Sequence, residues 1–364
     1  MKYLSEYRDP KLAKAYLEEI KKTVTQPWSI MEVCGGQTHS LVKNGIIEML
    51  PKEITMIHGP GCPVCVTPLH IIDKAIYLAQ RENVILCSFG DMLRVPGSKK
   101  NLLEAKAAGA DVRILYSPLE AVKIAEENPD KEVVFFAVGF ETTAPANALS
   151  VIHADRKDLK NYSILTSHVL VPPAIKAVID DEESKIDGFL AAGHVCTIMG
   201  NSEYHPLSEM FKVPIVVTGF EPLDVLQGIL MVIRQLEKKQ AKVENQYARI
   251  VREEGNIDAQ KIIHTVFEIR NQTWRGIGEI PLSGYGIKAD FTDYDAQLKF
   301  KIELPEALEN PACISGQIMK GLKKPFECDE FGKKCKPTNP LGAPMVSSEG
   351  ACAAYYHFSG LVEG

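Results

Sequence analysis

Seven short apolar runs, each ending at a glycine or a polar cluster, constrain the fold of this 364-residue chain more than any other feature. Helical patterns lie between most of them, for example at residues 102–110. Alternating buried strands and helices are typical of βαβ units with parallel sheets. The runs are residues 29–36, 54–61, 83–91, 133–141, 162–168, 187–194 and 214–221. The sequence therefore predicts an α/β protein whose ligands bind outside the carboxyl ends of its strands.

A weak internal repetition bears on the number of sheets. Residues 137–145 (AVGFETTAP) and 217–224 (VTGFEPLD) each place Gly-Phe-Glu between a strand and a helix. Two related α/β lobes that face each other would produce this repetition. Chance would produce it as well, because only three residues are shared, and the sequence leaves both explanations open.

Outside the strand-rich part, the patterns predict helices and one irregular region. An amphipathic helix is predicted at residues 4–22, a long helix at 222–254 and a further helix near 258–270. The long helix is apolar in its first half and charged in its second, so we expect it to lead out of the α/β body. Residues 271–364 are rich in Gly, Pro and Cys, which predicts a small domain held by something other than a hydrophobic core.

Composition and charge exclude some classes of protein. The net charge is −6 and the pI about 5.9, and no segment interleaves basic and aromatic residues, which argues against non-specific nucleic-acid binding. No apolar run approaches the roughly 18–20 residues that span a bilayer. The first twenty residues lack the apolar core of a signal peptide, so we expect a cytoplasmic protein. Disulfides rarely persist there, and nine cysteines therefore point to metal or redox chemistry.

The stretch HGPGCPVC places two of these cysteines, Cys62 and Cys65, in a glycine–proline turn before a predicted helix. Exposed amides and the helix dipole at such a position favour thiolates, as in dithiol oxidoreductases. Two buried structural cysteines are one alternative. Half of a zinc site is another, although no second CxxC supplies the remaining ligands.

The stretch CGGQTHS places Cys34 directly after a predicted strand. The two glycines that follow allow a ligand to approach the backbone closely. Thr38 and His39 add a hydroxyl and an imidazole within the same turn. By itself the pattern also fits a buried cysteine of the hydrophobic core. It indicates a functional site only if Cys34 shares a cleft with the CxxC pair.

Four cysteines near the C-terminus have the spacing C-x14-C-x6-C-x16-C and lie in a segment without a core pattern. They are Cys313, Cys328, Cys335 and Cys352. This spacing predicts a metal site with four thiolate ligands. It lacks the CxxC pairs of zinc ribbons and the close repeats of bacterial ferredoxins, so it leaves zinc and an iron–sulfur cluster open.

Polar residues also end several other predicted strands, and we expect them at one sheet edge. They are Asp91, Glu141, Thr142, Thr143, His168, His194 and Cys196. Each histidine alone is more typical of a structural residue than of a catalytic one. No GxGxxG or Walker-type sequence is present, so a nucleotide site is not predicted.

Together, CGGQTH, GPGCPVC, SFGD, GFETTAP, SHVLVPPA, GHVCTIMG and the C-terminal cysteine spacing resemble the HypD family of nickel–iron hydrogenase maturation proteins. The resemblance runs from about residue 29 to the C-terminus, with the motifs in the order of the family. Gln37 is a small departure, because some members carry histidine there.

The resemblance implies a scaffold, rather than a conventional turnover enzyme, on which the Fe(CN)2CO unit of the hydrogenase is assembled. It implies the chaperone HypC and the cyanide donor HypE as partners. Cys34 would bind the iron, and Cys62 and Cys65 would be redox-active. The four C-terminal cysteines would bind a 4Fe–4S cluster. Soft thiolates suit low-spin iron.

Three further residues are expected around the iron. Thr38, His39 and His194 would donate hydrogen bonds to the cyanide nitrogens and so orient the ligands. Two other functions stay open: a stand-alone iron–sulfur disulfide reductase that acts on a partner protein, and a zinc-stabilised binding protein without redox chemistry.

The predicted architecture is therefore two facing parallel-sheet α/β lobes and a small irregular Cys-rich iron–sulfur domain. Lobe I comprises residues 29–150, with Cys34 and the CxxC pair. Lobe II comprises residues 151–235. Residues 236–364 form a helical linker and the C-terminal 4Fe–4S domain.

Overall fold

A computed structural model describes residues 5–305, 308–358 and 360 of the chain. The strands are β1 Trp28–Glu32, β2 Ile54–His58, β3 Val84–Ser88, β4 Val112–Ile114, β5 Glu132–Gly139, β6 Tyr162–Val169, β7 Gly188–Ala192, β8 Ile215–Thr218, β9 Val243–Asn245, β10 Phe267–Trp274 and β11 Gly278–Ile287.

The α-helices alternate with the strands over most of the chain and then become short. They are α1 Pro10–Thr23, α2 Gly35–Lys43, α3 Ile46–Met49, α4 Pro63–Val66, α5 Leu69–Ala79, α6 Leu102–Ala107, α7 Pro118–Glu127, α8 Ala144–Arg156, α9 Val171–Ile179, α10 Gly193–Met199, α11 Tyr204–Phe211, α12 Pro222–Glu237, α13 Ile257–Val266, α14 Ala296–Phe300, α15 Ser315–Met319 and α16 Ala351–Phe358. Short 3-10 helices span Ser5–Arg8, Gly90–Arg94, Ala289–Tyr294, Pro325–Glu327 and Ala343–Met345.

The strands form two sheets. The first sheet has the order β2-β1-β7-β8-β9 and is parallel throughout. The second sheet has the order β10-β11-β6-β5-β3-β4, in which β6, β5, β3 and β4 are parallel and β11 runs antiparallel to both of its neighbours. All seven predicted strands are present, and the predicted α/β class with two mostly parallel sheets is confirmed.

Both faces of the first sheet are buried, as the near-continuous apolar runs require. On β1, Ile30 points to one side, into a core that includes Ile20 of α1 and Leu226 of α12. Its neighbour Met31 points to the other side, into a core that also includes Trp274 of β10. This second core joins the two sheets, and it contains the candidate site cysteines of both motifs that follow β1 and β2.

The Gly-Phe-Glu repetition falls on both sheets. One copy follows β5 of the second sheet, and the other follows β8 of the first. Each sheet takes strands from residues 29–150 and from residues 151–235. The domain boundaries after residues 150 and 235 stay predictions.

The predicted helix over residues 222–254 is wrong in its second half. Helix α12 ends at Glu237, and Lys239 takes a positive φ of 53°, which turns the chain back. Residues 243–245 then pair with β8 as the edge strand β9. The charged segment folds against the α/β body because Arg249 donates two hydrogen bonds, of 2.7 and 2.6 Å, to buried Asp224.

The predicted irregular region begins later than expected. Its first residues form the hairpin β10–β11, which pairs with β6 and extends the second sheet. The hairpin escaped prediction because β10 (FEIRNQTW) is mostly solvent-facing and lacks a clear alternation. Beyond β11 the chain has only short helices, in agreement with the expected lack of regular structure.

The predicted N-terminal helix is present as α1, which Asp9 caps by accepting a hydrogen bond of 2.7 Å from the amide of Lys11. Residue 4, the first of the predicted range, lies outside the described residues. Within the part of the chain that the structure describes, no helix combines the length and apolarity needed to span a bilayer.

Candidate functional site

The carboxyl ends of β1, β2 and β7 bring three sequence motifs together at one edge of the first sheet. Because β1 lies between β2 and β7, the loop that begins at Cys34 lies between the CxxC loop and the loop with His194. The loops touch directly: the amide of Gly35 donates a hydrogen bond of 2.9 Å to the carbonyl of Gly61. A Cβ atom on Gly61 would lie 2.2 Å from the backbone nitrogen of Cys34, so only glycine fits there.

Cys34 is the N-cap residue of α2, and its side chain is buried. Its Sγ lies 3.7 Å from Nδ1 and 3.9 Å from Nε2 of His194. Burial raises the pKa of the Cys34 thiol, and the charges of Glu349 and Glu32 raise it further. A buried thiol of this kind is protonated at neutral pH and becomes a strong ligand only when a metal replaces its proton.

His194 lies in the first turn of α10 and supplies a neutral imidazole. Burial lowers the pKa of His194 to about 4, so the ring carries one N–H donor and one acceptor at neutral pH. The ring of Phe220, from the loop after β8, packs against it at 5.0 Å between centroids. The site therefore offers a thiol and a neutral imidazole at the edge of a largely apolar core.

A buried carboxylate, Glu32, organises the backbone around Cys34. Its side chain is fully buried, and it accepts hydrogen bonds from the Cys34 amide (2.9 Å) and from the Thr38 hydroxyl. The Nδ1 atom of His58 lies 2.7 Å from the same carboxylate. The Nε2 atom of His58 lies 3.2 Å from the hydroxyl of Tyr355 in α16.

Two of the predicted hydrogen-bond donors therefore have other partners. Thr38 is buried and donates to Glu32, and it reinforces the turn that carries Cys34. His39 is half-buried, with Nδ1 3.3 Å from the carbonyl of Ser348, and its ring packs edge-on against Phe358. Among the described residues, His194 is the one of the three whose side chain contacts the Cys34 sulfur, whereas the Thr38 hydroxyl donates a hydrogen bond of 3.4 Å to the Cys34 carbonyl.

Cys62 and Cys65 are joined by a disulfide, with their Cα atoms 5.2 Å apart. Pro63 begins the short helix α4, and the amide of Cys65 donates a hydrogen bond of 3.2 Å to the Cys62 sulfur. Both cysteines are buried, in the same core as Cys34. Helix α4 packs against the 3-10 helix Ala343–Met345 of the C-terminal segment.

The four C-terminal cysteines converge on one cavity. Its wall includes the four cysteines and mostly apolar neighbours, among them Cys313, Cys328, Cys335, Cys352, Ile314, Ile318, Phe331, Leu341 and Met345. Cys335 and Cys352 are buried, whereas Cys313 and Cys328 are half-buried. Burial and the neighbouring cysteines raise the pKa of both buried thiols. The amide of Leu341 donates a hydrogen bond of 3.4 Å to the Cys335 sulfur.

Four cysteines around one mostly apolar cavity form a soft donor set, and such a set fits an iron–sulfur cluster. Among the described residues, no three His, Cys, Asp or Glu side chains lie close enough together to hold one metal ion. A tetrahedral zinc site needs four such ligands around one centre. In an iron–sulfur cluster each thiolate binds a different iron, so the ligands stand further apart around a common cavity.

The expectation that the remaining polar strand ends share one sheet edge is wrong. His194 and Cys196 follow β7 of the first sheet, whereas Asp91, Glu141 and His168 lie at strand ends of the second. The strand order explains this, because the chain alternates between the sheets in a way that local patterns do not reveal.

The two buried members of the second sheet have structural partners. Burial raises the pKa of Glu141 to about 8, and its Oε1 accepts a hydrogen bond of 2.9 Å from the amide of Val171. Burial lowers the pKa of His168 to about 4, and its Nε2 lies 2.6 Å from Nδ2 of Asn147. Cys196 is fully buried in the core that joins the sheets.

Sequence reasoning missed several residues that surround Cys34. A glutamate at position 32, inside the otherwise apolar run SIMEVC, was a usable signal, because an acid in a buried strand needs partners. His58, the first residue of HGPGCPVC, could also have been noticed. Phe220 belongs to the Gly-Phe-Glu repetition, which did not point to this site. Glu349 and Tyr355 come close only through the fold, and no local pattern marks them.

Comparison with known proteins identifies relatives along nearly the whole chain. The family model described as "HypD: Hydrogenase formation hypA family" matches residues 11–359. The chain is 48% identical to the hydrogenase maturation factor HypD of Rhodobacter capsulatus, over 99% of both chains. It is 47% identical to HypD of Azotobacter vinelandii, over 98% of this chain and 97% of that one. It is 42% identical to HypD of Escherichia coli K12, over 98% of both.

The contact between Gly61 and the Cys34 backbone yields a direct test. In Gly61→Ala the added methyl group overlaps Val33 and Cys34, so the two loops must separate. We expect a loss of about 1–3 kcal/mol in the free energy of unfolding, measured in urea, and faster alkylation of Cys34. Gly90→Ala is the matched control, because its Cβ would meet the nearest atom at an ordinary 3.7 Å. Equal stability of the two variants would contradict the close packing of these loops.

Proposed function

The chain belongs to the HypD family of hydrogenase maturation factors, and from this premise we propose that it is the scaffold on which the Fe(CN)2CO unit of nickel–iron hydrogenase is assembled. One observation supports this most strongly: the buried Cys34 thiol faces His194 and packs against the loop of the Cys62–Cys65 disulfide. This arrangement combines a soft ligand, a hydrogen-bond donor and a redox-active pair in a site shielded from water.

Cys34 would bind the iron of the substrate unit as a thiolate. A soft thiolate suits low-spin iron that carries cyanide and carbonyl ligands. Burial raises the pKa of the free thiol, so iron binding releases its proton, and the shielded pocket protects the bound unit from competing ligands.

His194 would orient the iron ligands. Its neutral ring carries one N–H, which can donate to a cyanide nitrogen while Phe220 fixes the ring plane. For Thr38 and His39, which have other partners in the structure, we propose a supporting part in holding the turn around Cys34.

The CxxC pair would supply reducing equivalents. Reduction of the Cys62–Cys65 disulfide consumes two electrons and two protons and yields two thiols, and reoxidation returns them. Cys313, Cys328, Cys335 and Cys352 would hold a 4Fe–4S cluster, which when bound supplies one-electron chemistry. The packing of α4 against Ala343–Met345 places the disulfide's helix beside a wall of that cavity.

Burial disfavours the alternative of a stand-alone disulfide reductase. Cys62 is 5% exposed and Cys65 is 2% exposed, so thiols of a folded partner protein could not attack the disulfide without an opening of the loop. For the zinc-stabilised binding protein, the described residues offer no group of three metal-ligating side chains around one ion. We retain HypC and HypE as the proposed partners and the cytoplasm as the proposed location.

Replacement of Cys34 tests the site of assembly. In Cys34→Ser a hard hydroxyl replaces the thiolate, so we expect infrared bands of bound cyanide and carbonyl to disappear from the complex purified anaerobically with HypC. The visible absorption of the cluster should persist, because its ligands lie elsewhere. Cys87→Ser, a buried cysteine of β3 in the second sheet, is the control and should keep both signals. Retention of the bands in Cys34→Ser would show that the iron is held by other residues, and loss of both signals would show a structural role.

Replacement of Cys328 tests the cluster. In Cys328→Ala one of four thiolate ligands is lost, so we expect the visible absorption to bleach and proteolysis of the segment from residue 313 to 352 to accelerate severalfold. Cys87→Ala serves as the control for the loss of a cysteine outside this cavity. A colourless wild-type protein that contains zinc instead of iron and sulfide would contradict the assignment.

A further inference from the structure

The carboxylate of Glu32 begins a chain of buried hydrogen bonds that leads from Cys34 to the C-terminal helix α16. We propose that Glu32, His58 and Tyr355 are positioning residues, through which the placement of α16 and its Cys352 controls the geometry of Cys34. The relevance of this coupling to iron assembly rests on the proposed function, but the coupling itself does not.

Each donor in this chain of hydrogen bonds is matched by an acceptor. In the neutral tautomer with hydrogen on Nδ1, His58 donates to Glu32, and its Nε2 accepts from the Tyr355 hydroxyl. The second oxygen of Glu32 accepts from the amide of Cys34. Glu32 and His58 are 0% and 3% exposed, so water is a poor substitute for either partner.

Such a buried chain is sensitive to the loss of any member. Removal of one partner leaves another polar group unsatisfied in a dry environment, which costs more than the bond contributes when intact. The nearest place where the strain can be relieved is the loop after β1, because the Cys34 amide is the only backbone donor to Glu32 among the described residues. Disturbance at Tyr355 should therefore appear as mobility at Cys34.

Further contacts join the C-terminal segment to α2 and to the loop that carries Cys34. Helix α16 packs along α2, whose first residues carry Cys34 as their cap. A Cβ on Gly35 would lie 2.5 Å from Cβ of Glu349, so these two segments are in close contact. His39 reaches the carbonyl of Ser348. The C-terminal segment thus contacts the Cys34 loop and also, through Cys352, lines the cavity of the four cysteines.

Coupling of this kind is reciprocal. Occupancy of the four-cysteine cavity through Cys352 would hold α16 more rigidly in place. It would therefore favour the packed conformation of the Cys34 loop, in which the thiol is buried. A change that opens the Cys34 loop loosens α16 by the same free energy. A change at either thiol site would in this way alter the other site without direct contact between them.

The test uses two neighbouring tyrosines of α16 in the full-length protein, purified anaerobically without partner proteins. Tyr355→Phe removes only the hydroxyl that contacts His58. Tyr356→Phe removes the hydroxyl of a half-buried neighbour that is not part of the proposed hydrogen-bond chain. The readout is the rate at which iodoacetamide alkylates each cysteine, followed by mass spectrometry of peptides. Cys87, fully buried in the second sheet, is the internal reference.

We expect Tyr355→Phe to raise the alkylation rate of Cys34 about fivefold, the shift in local opening that follows the loss of one buried hydrogen bond. His58→Gln should raise it at least as much. Tyr356→Phe should match the wild type, and the rate of Cys87 should stay constant in every variant. Equal Cys34 rates in Tyr355→Phe and wild type would overturn the proposal. A parallel rise at Cys34 and Cys87 would do so as well, because it would indicate global unfolding.

The outcome is independent of the proposed function. If wild-type protein never shows cyanide and carbonyl bands but Tyr355→Phe still exposes Cys34, the assembly function fails and the coupling stands. If the bands appear in the wild type and the Cys34 rate does not respond to Tyr355→Phe, the coupling alone fails.

Discussion

The buried carboxylate of Glu32 is the interaction on which the candidate site depends. A carboxylate with no exposure is stable only when its hydrogen-bonding capacity is used, and here a backbone amide, a hydroxyl and an imidazole use it. These partners come from the loop after β1, from α2 and from the end of β2. Because these partners all bind one carboxylate, the two loops that carry Cys34 and the CxxC motif are held in a fixed position relative to each other.

The first sheet then determines what the two loops can do. Its order places β1 between β2 and β7, so Cys34 has the disulfide loop on one side and His194 on the other. Glycine at position 61 allows the loops to approach until their backbones touch. In the proposed function, the buried soft sulfur and the neutral imidazole would suit a low-spin iron unit, and the dithiol form of the CxxC pair would donate two electrons as it is oxidised to the disulfide. The C-terminal segment completes the site by covering α2 and α4.

Sequence patterns predicted the elements better than their arrangement. The seven buried strands follow directly from apolar runs, and two residues from the motifs at their ends, Cys34 and His194, both follow strands of the first sheet and lie close together. The end of α12 was missed, because the turn at Lys239 depends on packing and not on a breaker residue. The link from His58 to Tyr355 joins residues 297 positions apart, which no local pattern can show.

The ⁵⁷Fe Mössbauer spectrum of the protein, purified anaerobically from cells that mature hydrogenase, distinguishes the two proposed iron sites in one measurement. We expect two populations of iron. One has the spectrum of a 4Fe–4S cluster, held by the C-terminal cysteines. The other is low-spin iron with strong-field ligands, bound at Cys34. A spectrum that contains cluster iron alone, from protein that retains its small partner, would contradict the claim that the unit is assembled at this site.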